Sequence, residues 1–139
     1  MKRIAILASG SGTNAENIIK YFQNSNGITI TQVLSNKKDA KVLERAKNLN
    51  VSNSSFDKDD FINTDKVLDI LKNEADYIIL AGFLWKIPKK IIDAFTDKII
   101  NIHPALLPKY GGKGMYGDNV HKAVVENKEQ ETGITIHYV

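Results

Sequence analysis

A chain of 139 residues with 42% hydrophobic and 25% charged residues has the size and composition of one soluble globular domain that buries roughly two-thirds of its unfolded surface. Nineteen Lys+Arg against 16 Asp+Glu give a net charge of +3, and the dispersed lysines argue against a nucleic-acid groove, leaving weak steering of an anionic ligand. With no cysteine, disulfides, thiolate metal sites and cysteine nucleophiles are excluded together, as befits a reducing cytoplasm.

"MKRIAILASG" opens like a signal peptide, but its apolar run is only Ile4–Ala8, too short for an h-region. "RIAILAS" reads as a buried strand, and "GSGTN" leads into a helix over 15–23 with Ile18, Ile19 and Phe22 inward. "ITITQVLS" is a second strand, and "AKVLERAKNL" a helix with Val42, Leu43, Ala46 and Leu49 on one stripe. "NVSNSS" reads as a connection. Residues 59–73 read as one helix, with Phe61, Val67, Leu68 and Leu71 facing inward.

"DYIILAG" is a third strand, within the longest apolar run, Tyr77–Trp85, which is far below the ~20 residues that cross a bilayer. "PKKIIDAF" is a short helix with Pro88 at a first-turn position, and "KIINIH" a fourth strand. A glycine-rich stretch, "KYGGKGMYGD", precedes a helix near 120–127, and "GITIHYV" is the last strand. Strands alternating with helices predict a Rossmann-like α/β fold, an open, mostly parallel sheet with helices on both faces. The last strand's alternation is unbroken at Val139, so the expectation is a single domain over 1–139, incomplete at its C-terminus.

In such a sheet ligands bind beyond the carboxyl ends of the strands. "SGSGTN" lies there, where Gly10 and Gly12 permit a tight bend and the following helix start suits a phosphate. Thr13 or Asn14 could cap that helix or touch the phosphate directly. A P-loop would need Gly-Lys-Ser/Thr, and Gly12-Thr13-Asn14 stands instead. Gly10-x-Gly12-x-x-Ala15 matches the dinucleotide spacing, yet "LSNKK" carries no acid for a ribose. A tight turn that binds nothing would use the same residues.

Asn101 and His103 lie two apart on a strand and share a face. A carboxamide and an imidazole there could stabilise an oxyanion and move a proton. The alternative is a turn-capping Asn beside a half-buried His, with Pro104 and Pro108 shaping the exit loop. His121 suits a capping role and His137 a place in the sheet. No metal-ligand spacing and no G-x-S-x-G elbow occurs. In "AGFLWKIP", Gly82 permits close backbone approach, while Leu84, Trp85 and Ile87 could wall an apolar pocket or pack as a buried loop.

Taken in order, "ILASGSGTN", "LSNKKDAKVLERAK", "ILAGFLWKIP", "IINIHPALLPKYGG" and "GITIHYV" resemble the glycinamide ribonucleotide formyltransferase family. The likeness runs from Ile4 to Val139. "NIHPALLP" marks the wider formyltetrahydrofolate-using superfamily, and "SGSGTN" the glycinamide ribonucleotide branch. The resemblance implies cytoplasmic formyl transfer from the co-substrate formyltetrahydrofolate to the amine of glycinamide ribonucleotide in purine biosynthesis, with no metal, no nucleic acid and no membrane. The expected state is a monomer or weak homodimer.

It implies that Gly12, Thr13 and Asn14 hold the phosphate and that Asn101 and His103 are catalytic. It also implies that Leu84, Trp85, Lys86, Ile87 and Ile92 form the folate pocket, and that Thr135 and His137 support the catalytic carboxylate. Leu107–Pro108 matches a bond often cis in the family. The family's catalytic aspartate belongs to the loop after "TIHYV", and none of Asp57, Asp59 or Asp118 matches it. Little activity is therefore expected of the chain as given. Trp85 stands where many relatives carry arginine, and residues 111–119 form a longer glycine-rich loop. The competing readings are a formyltetrahydrofolate hydrolase, a methionyl-tRNA formyltransferase, or a non-enzymatic nucleotide-phosphate-binding module.

Overall fold

The computed structural model describes residues 1–103 and 135–139. In chain order the elements are β1 (Lys2–Leu7), α1 (Thr13–Phe22), β2 (Ile28–Ser35), α2 (Lys41–Asn48), β3 (Asn53–Ser55), α3 (Lys58–Ile62), α4 (Lys66–Glu74), β4 (Tyr77–Leu80), α5 (Lys89–Ala94), β5 (Ile99–His103) and β6 (Thr135–Tyr138). The strands form one sheet in the order β3-β2-β1-β4-β5-β6. All pairs are parallel except β5 with β6, which is antiparallel. The expected mostly parallel sheet is thus present, with one antiparallel edge.

Two apolar layers cover its faces. On one, Ile6, Ala8 and Val33 meet Ala15 and Ile19 of α1 and Val42 and Ala46 of α2. On the other, Leu7, Ile78, Leu80 and Ile99 meet Val67 and Leu71 of α4 and Ile91 of α5, with Phe61 of α3. The near-continuous apolar run of β1 follows from this double coverage. At the amino end, the Asp76 carboxylate accepts the Arg3 backbone N–H at 2.9 Å and its guanidinium at 3.1 and 3.3 Å, tying β1 to β4. This pairing holds the Asp76 carboxyl below the usual aspartate range.

Three local expectations change. β3 stands where a connection was read: its Asn53, Ser54 and Ser55 are polar and exposed, and only pairing with Val33–Ser35 makes them a strand. The single helix over 59–73 is two. Thr64 Oγ accepts from the Lys66 N–H at 3.2 Å, and Lys90 Nζ donates to the carbonyls of Ile62 at 3.1 Å and Thr64 at 2.5 Å. Those bonds compete with the helical ladder at Asn63–Asp65. Pro88 is the N-cap of α5, with extended backbone, rather than a residue of its first turn.

Candidate active site

β1 lies between β2 and β4. The chain leaves β1 towards α1 on one face and leaves β4 towards α5 on the other, so the exit loops diverge and open a crevice. Register pairs Leu7 with Leu34 and Leu80, and Leu80 with Asn101, so these carboxyl ends are level. The glycine loop, the "AGFLWKIP" segment and the Asn101 strand therefore meet at one edge of the sheet.

Gly12 is the N-cap of α1 at φ 78°, a conformation that glycine tolerates and L-residues resist. A Cβ there would lie 2.4 Å from Val42 Cγ2 and 2.7 Å from Val42 Cα. Neither Thr13 nor Asn14 caps the helix, contrary to one expectation: Thr13 is already inside α1, and no side chain bonds at the N-cap. Both are exposed, beside the first-turn N–H groups that an anion could take.

Helix α2 braces this loop from behind. The Val42 N–H donates to Gly10 O at 3.1 Å, and Arg45 Nε donates to Ser11 O at 2.6 Å. Arg45 also pairs with Glu16, which Lys20 meets at 2.8 Å. Hydrogen bonds from Lys20 and then Arg45 hold the Glu16 carboxyl below its ordinary range. Its negative charge, which would oppose an anion at this helix start, is thereby offset.

Gly82 takes φ 73°, which favours glycine, and among the described residues a Cβ there would meet nothing within 4 Å. Phe83 and Trp85 pack with Phe56 and Phe61 at centroid distances of 5.6–6.1 Å. Leu84 is 44% exposed and Lys86 is exposed. Ile87 is buried in the core, with Ile92 half-buried against it. Of the five expected pocket residues, Leu84, Trp85 and Lys86 thus reach the surface, while Ile87 and Ile92 underlie them. A cleft of ≈480 Å³ opens beside Trp85, towards Asn36, Lys38 and Lys58.

Asn101 continues the face of Ile99, whose side chain is in the α4/α5-side core. Across the antiparallel pair it opposes His137. Asn101 Nδ2 donates to His137 Nε2 at 3.2 Å, and His137 Nδ1 donates to Tyr138 O at 3.1 Å. One tautomer, with the proton on Nδ1, satisfies both bonds. His103 pairs with Thr135 through the backbone. Their side chains lie outside the described residues, as do Pro104, the Leu107–Pro108 bond, the 111–119 loop, His121 and the expected 120–127 helix.

The family model described as formyl transferase matches residues 2–139. The chain belongs to the formyl transferase family. It is 38% identical to the chloroplastic phosphoribosylglycinamide formyltransferase of Arabidopsis thaliana, over 99% of this chain and 50% of that protein. It is 32% identical to the phosphoribosylglycinamide formyltransferase of Bacillus subtilis, over 100% of this chain and 72% of the relative. The crystal structure of glycinamide ribonucleotide transformylase 1 from Geobacillus kaustophilus superposes with a TM-score of 0.86 at 36% identity, covering 100% and 74% of the two chains. The chain spans about half to three-quarters of the length of these relatives.

Sequence patterns passed over two residues of this formyl transferase chain. Ser9, 1% exposed, donates through Oγ to Asn36 Oδ1 at 2.6 Å and accepts the Leu84 N–H at 2.9 Å. Its own N–H donates to Gly82 O at 3.2 Å. Ser9 thus joins the exits of β1, β2 and β4. The only local signal was a serine and an asparagine each directly following an apolar strand.

Proposed function

We propose that the protein transfers a formyl group from formyltetrahydrofolate to the amine of glycinamide ribonucleotide. The observation carrying this reading is one crevice that combines a phosphate-suited glycine loop, an apolar wall and Asn101. The names of the relatives favour it over the hydrolase, tRNA and binding-module readings.

The backbone N–H groups at Thr13 and Asn14 take the ribonucleotide phosphate, with Gly12 allowing close approach. The wall suits a folate: Leu84 and Trp85 offer apolar surface, and among the described residues the N–H groups of Trp85, Lys86 and Ile87 have no hydrogen-bond partner. Free backbone donors of that kind can pair with the edge of a heterocycle. The bound co-substrate supplies the formyl carbon, and attack by the amine puts negative charge on the formyl oxygen. Its collapse breaks the bond from that carbon to the folate nitrogen, and the proton lost by the amine goes to that nitrogen.

Asn101 donates one N–H to His137 and so orients its carboxamide, leaving the second N–H for the oxyanion. Such a donor lowers the barrier by about 3 kcal/mol. His103 supplies the second donor when protonated, and Thr135 and His137 support the group that moves the proton.

Two titrations and one variant test this. Trp85 is the only tryptophan, so folate docking on the wall should change its fluorescence saturably. Glycinamide ribonucleotide should bind competitively with inorganic phosphate. Asn101→Ala should keep both affinities within about twofold and, assayed in a chain extended through the family's catalytic aspartate, slow formyl transfer about 100-fold. No Trp85 response to 5-formyltetrahydrofolate, or formyl transfer at the unaltered rate in Asn101→Ala, would overturn the proposal.

A further inference from the structure

Two parts of the crevice sit on different loops leaving different strands, and each has its own support. The glycine loop is braced by α2, through Val42 to Gly10 O and Arg45 to Ser11 O. The wall loop rests on Phe56 and Phe61. Among the described residues, the Ser9 side chain joins the two. Ser9 carries the loop that becomes Gly10–Asn14, and its Oγ accepts the Leu84 N–H at 2.9 Å. The same hydroxyl donates to Asn36 Oδ1 at 2.6 Å.

A hydroxyl has one proton to give. By donating it to Asn36, Ser9 turns a lone pair towards Leu84, so the asparagine fixes the direction in which the serine accepts. Ser9 is 1% exposed, so losing a partner leaves its buried hydroxyl with a hydrogen bond unmade. The Leu84 amide opens the wall segment assigned to the folate.

We infer that Ser9 and Asn36 are positioning residues that set the Leu84–Ile87 backbone for the folate without touching the phosphate-bearing substrate. The inference rests on the folate reading of the wall. It requires a selective effect: the wall loosens, while the phosphate loop keeps its α2 brace.

Ser9→Ala, Asn36→Leu and Asn36→Asp in the full chain provide the test, the last keeping an acceptor for the serine hydroxyl. Trp85 fluorescence is titrated with 5-formyltetrahydrofolate, and glycinamide ribonucleotide affinity is measured separately by calorimetry. Amide exchange is followed at Leu84. Ser9→Ala and Asn36→Leu should weaken the folate about fivefold to tenfold, the loss expected for one hydrogen bond, and leave the ribonucleotide within twofold. The Leu84 amide should lose protection in Ser9→Ala. Asn36→Asp should retain folate affinity.

If the unaltered chain binds the folate and all three variants bind it equally well, the positioning role is overturned and the folate reading stands. If both ligands weaken together, in step with lost thermal stability, Ser9 is merely structural and the inference fails. If the unaltered chain itself gives no Trp85 response, the folate reading falls and takes the inference with it.

Discussion

Replacing Gly12 by alanine tests the tightest contact in the glycine loop. The new Cβ would sit 2.4 Å from Val42 Cγ2, 2.5 Å from Val42 Cβ and 2.7 Å from Val42 Cα. The first atom could swing aside, but the last is backbone within α2. Moving α2 would stretch the Val42 N–H bond to Gly10 O and the Arg45 bond to Ser11 O. The φ of 78° costs an L-residue about 1–2 kcal/mol, and an overpacked contact adds about 1–3 kcal/mol. A loss of about 2–5 kcal/mol is expected, read from urea denaturation midpoints at constant slope. Glycinamide ribonucleotide should also bind more weakly, because relief of the contact moves the phosphate-facing N–H groups. Gly10→Ala is the control: nothing lies within 4 Å of its Cβ position, so stability should hold within about 0.5 kcal/mol. Adding Val42→Ala to Gly12→Ala should restore little, since Cβ and Cα of residue 42 remain. A Gly12→Ala protein within 0.5 kcal/mol of the unaltered chain would refute this reasoning.

Two further outcomes follow from the core and the sheet. The Asp76 carboxyl has a lower pKa folded than unfolded, chiefly through hydrogen bonds from Arg3, so its stabilisation is complete above the ordinary carboxylate range and is lost as pH falls through the folded-state pKa. Denaturation midpoints measured against pH should therefore show a smaller acid-side decline in Asp76→Asn than in the unaltered chain; equal declines would remove Asp76 as a source. Phe61 is 0% exposed and stacks on Phe56 at 4.9 Å, so Phe61→Ala should cost about 3–5 kcal/mol. It should also shift the emission of Trp85, whose ring centroid lies 6.0 Å away; an unchanged spectrum would contradict that packing.

Residues whose burial and period coincide were legible in the sequence. Ile4–Leu7, Ile78–Leu80 and the Val42/Ala46 stripe declare strand and helix without tertiary help. β3 carries no such pattern, because Asn53, Ser54 and Ser55 form an exposed edge whose pairing partner is the sole reason for extended backbone. The break at Asn63–Asp65 was hidden because Lys90, 26 to 28 positions onward, takes the carbonyls. In the site, spacing suggested the shared face of Asn101 and His103, and the glycines announced the bend. The reason for Gly12 in particular resides in Val42, thirty positions away. Ser9 gave little local sign, since its importance comes from three loops that only the folded sheet brings together.

The strand order also has a consequence for timing. β1 occupies the middle of the sheet, so Arg3 must wait for Asp76, 73 residues later. At ribosomal rates of about 5–20 residues per second, the first strand spends roughly 4–15 s with one flank bare. The crevice arises from that same juxtaposition of β1 with β4. A ligand that needs both the glycine loop and the Leu84–Ile87 wall therefore has no complete crevice until β4 has paired with β1.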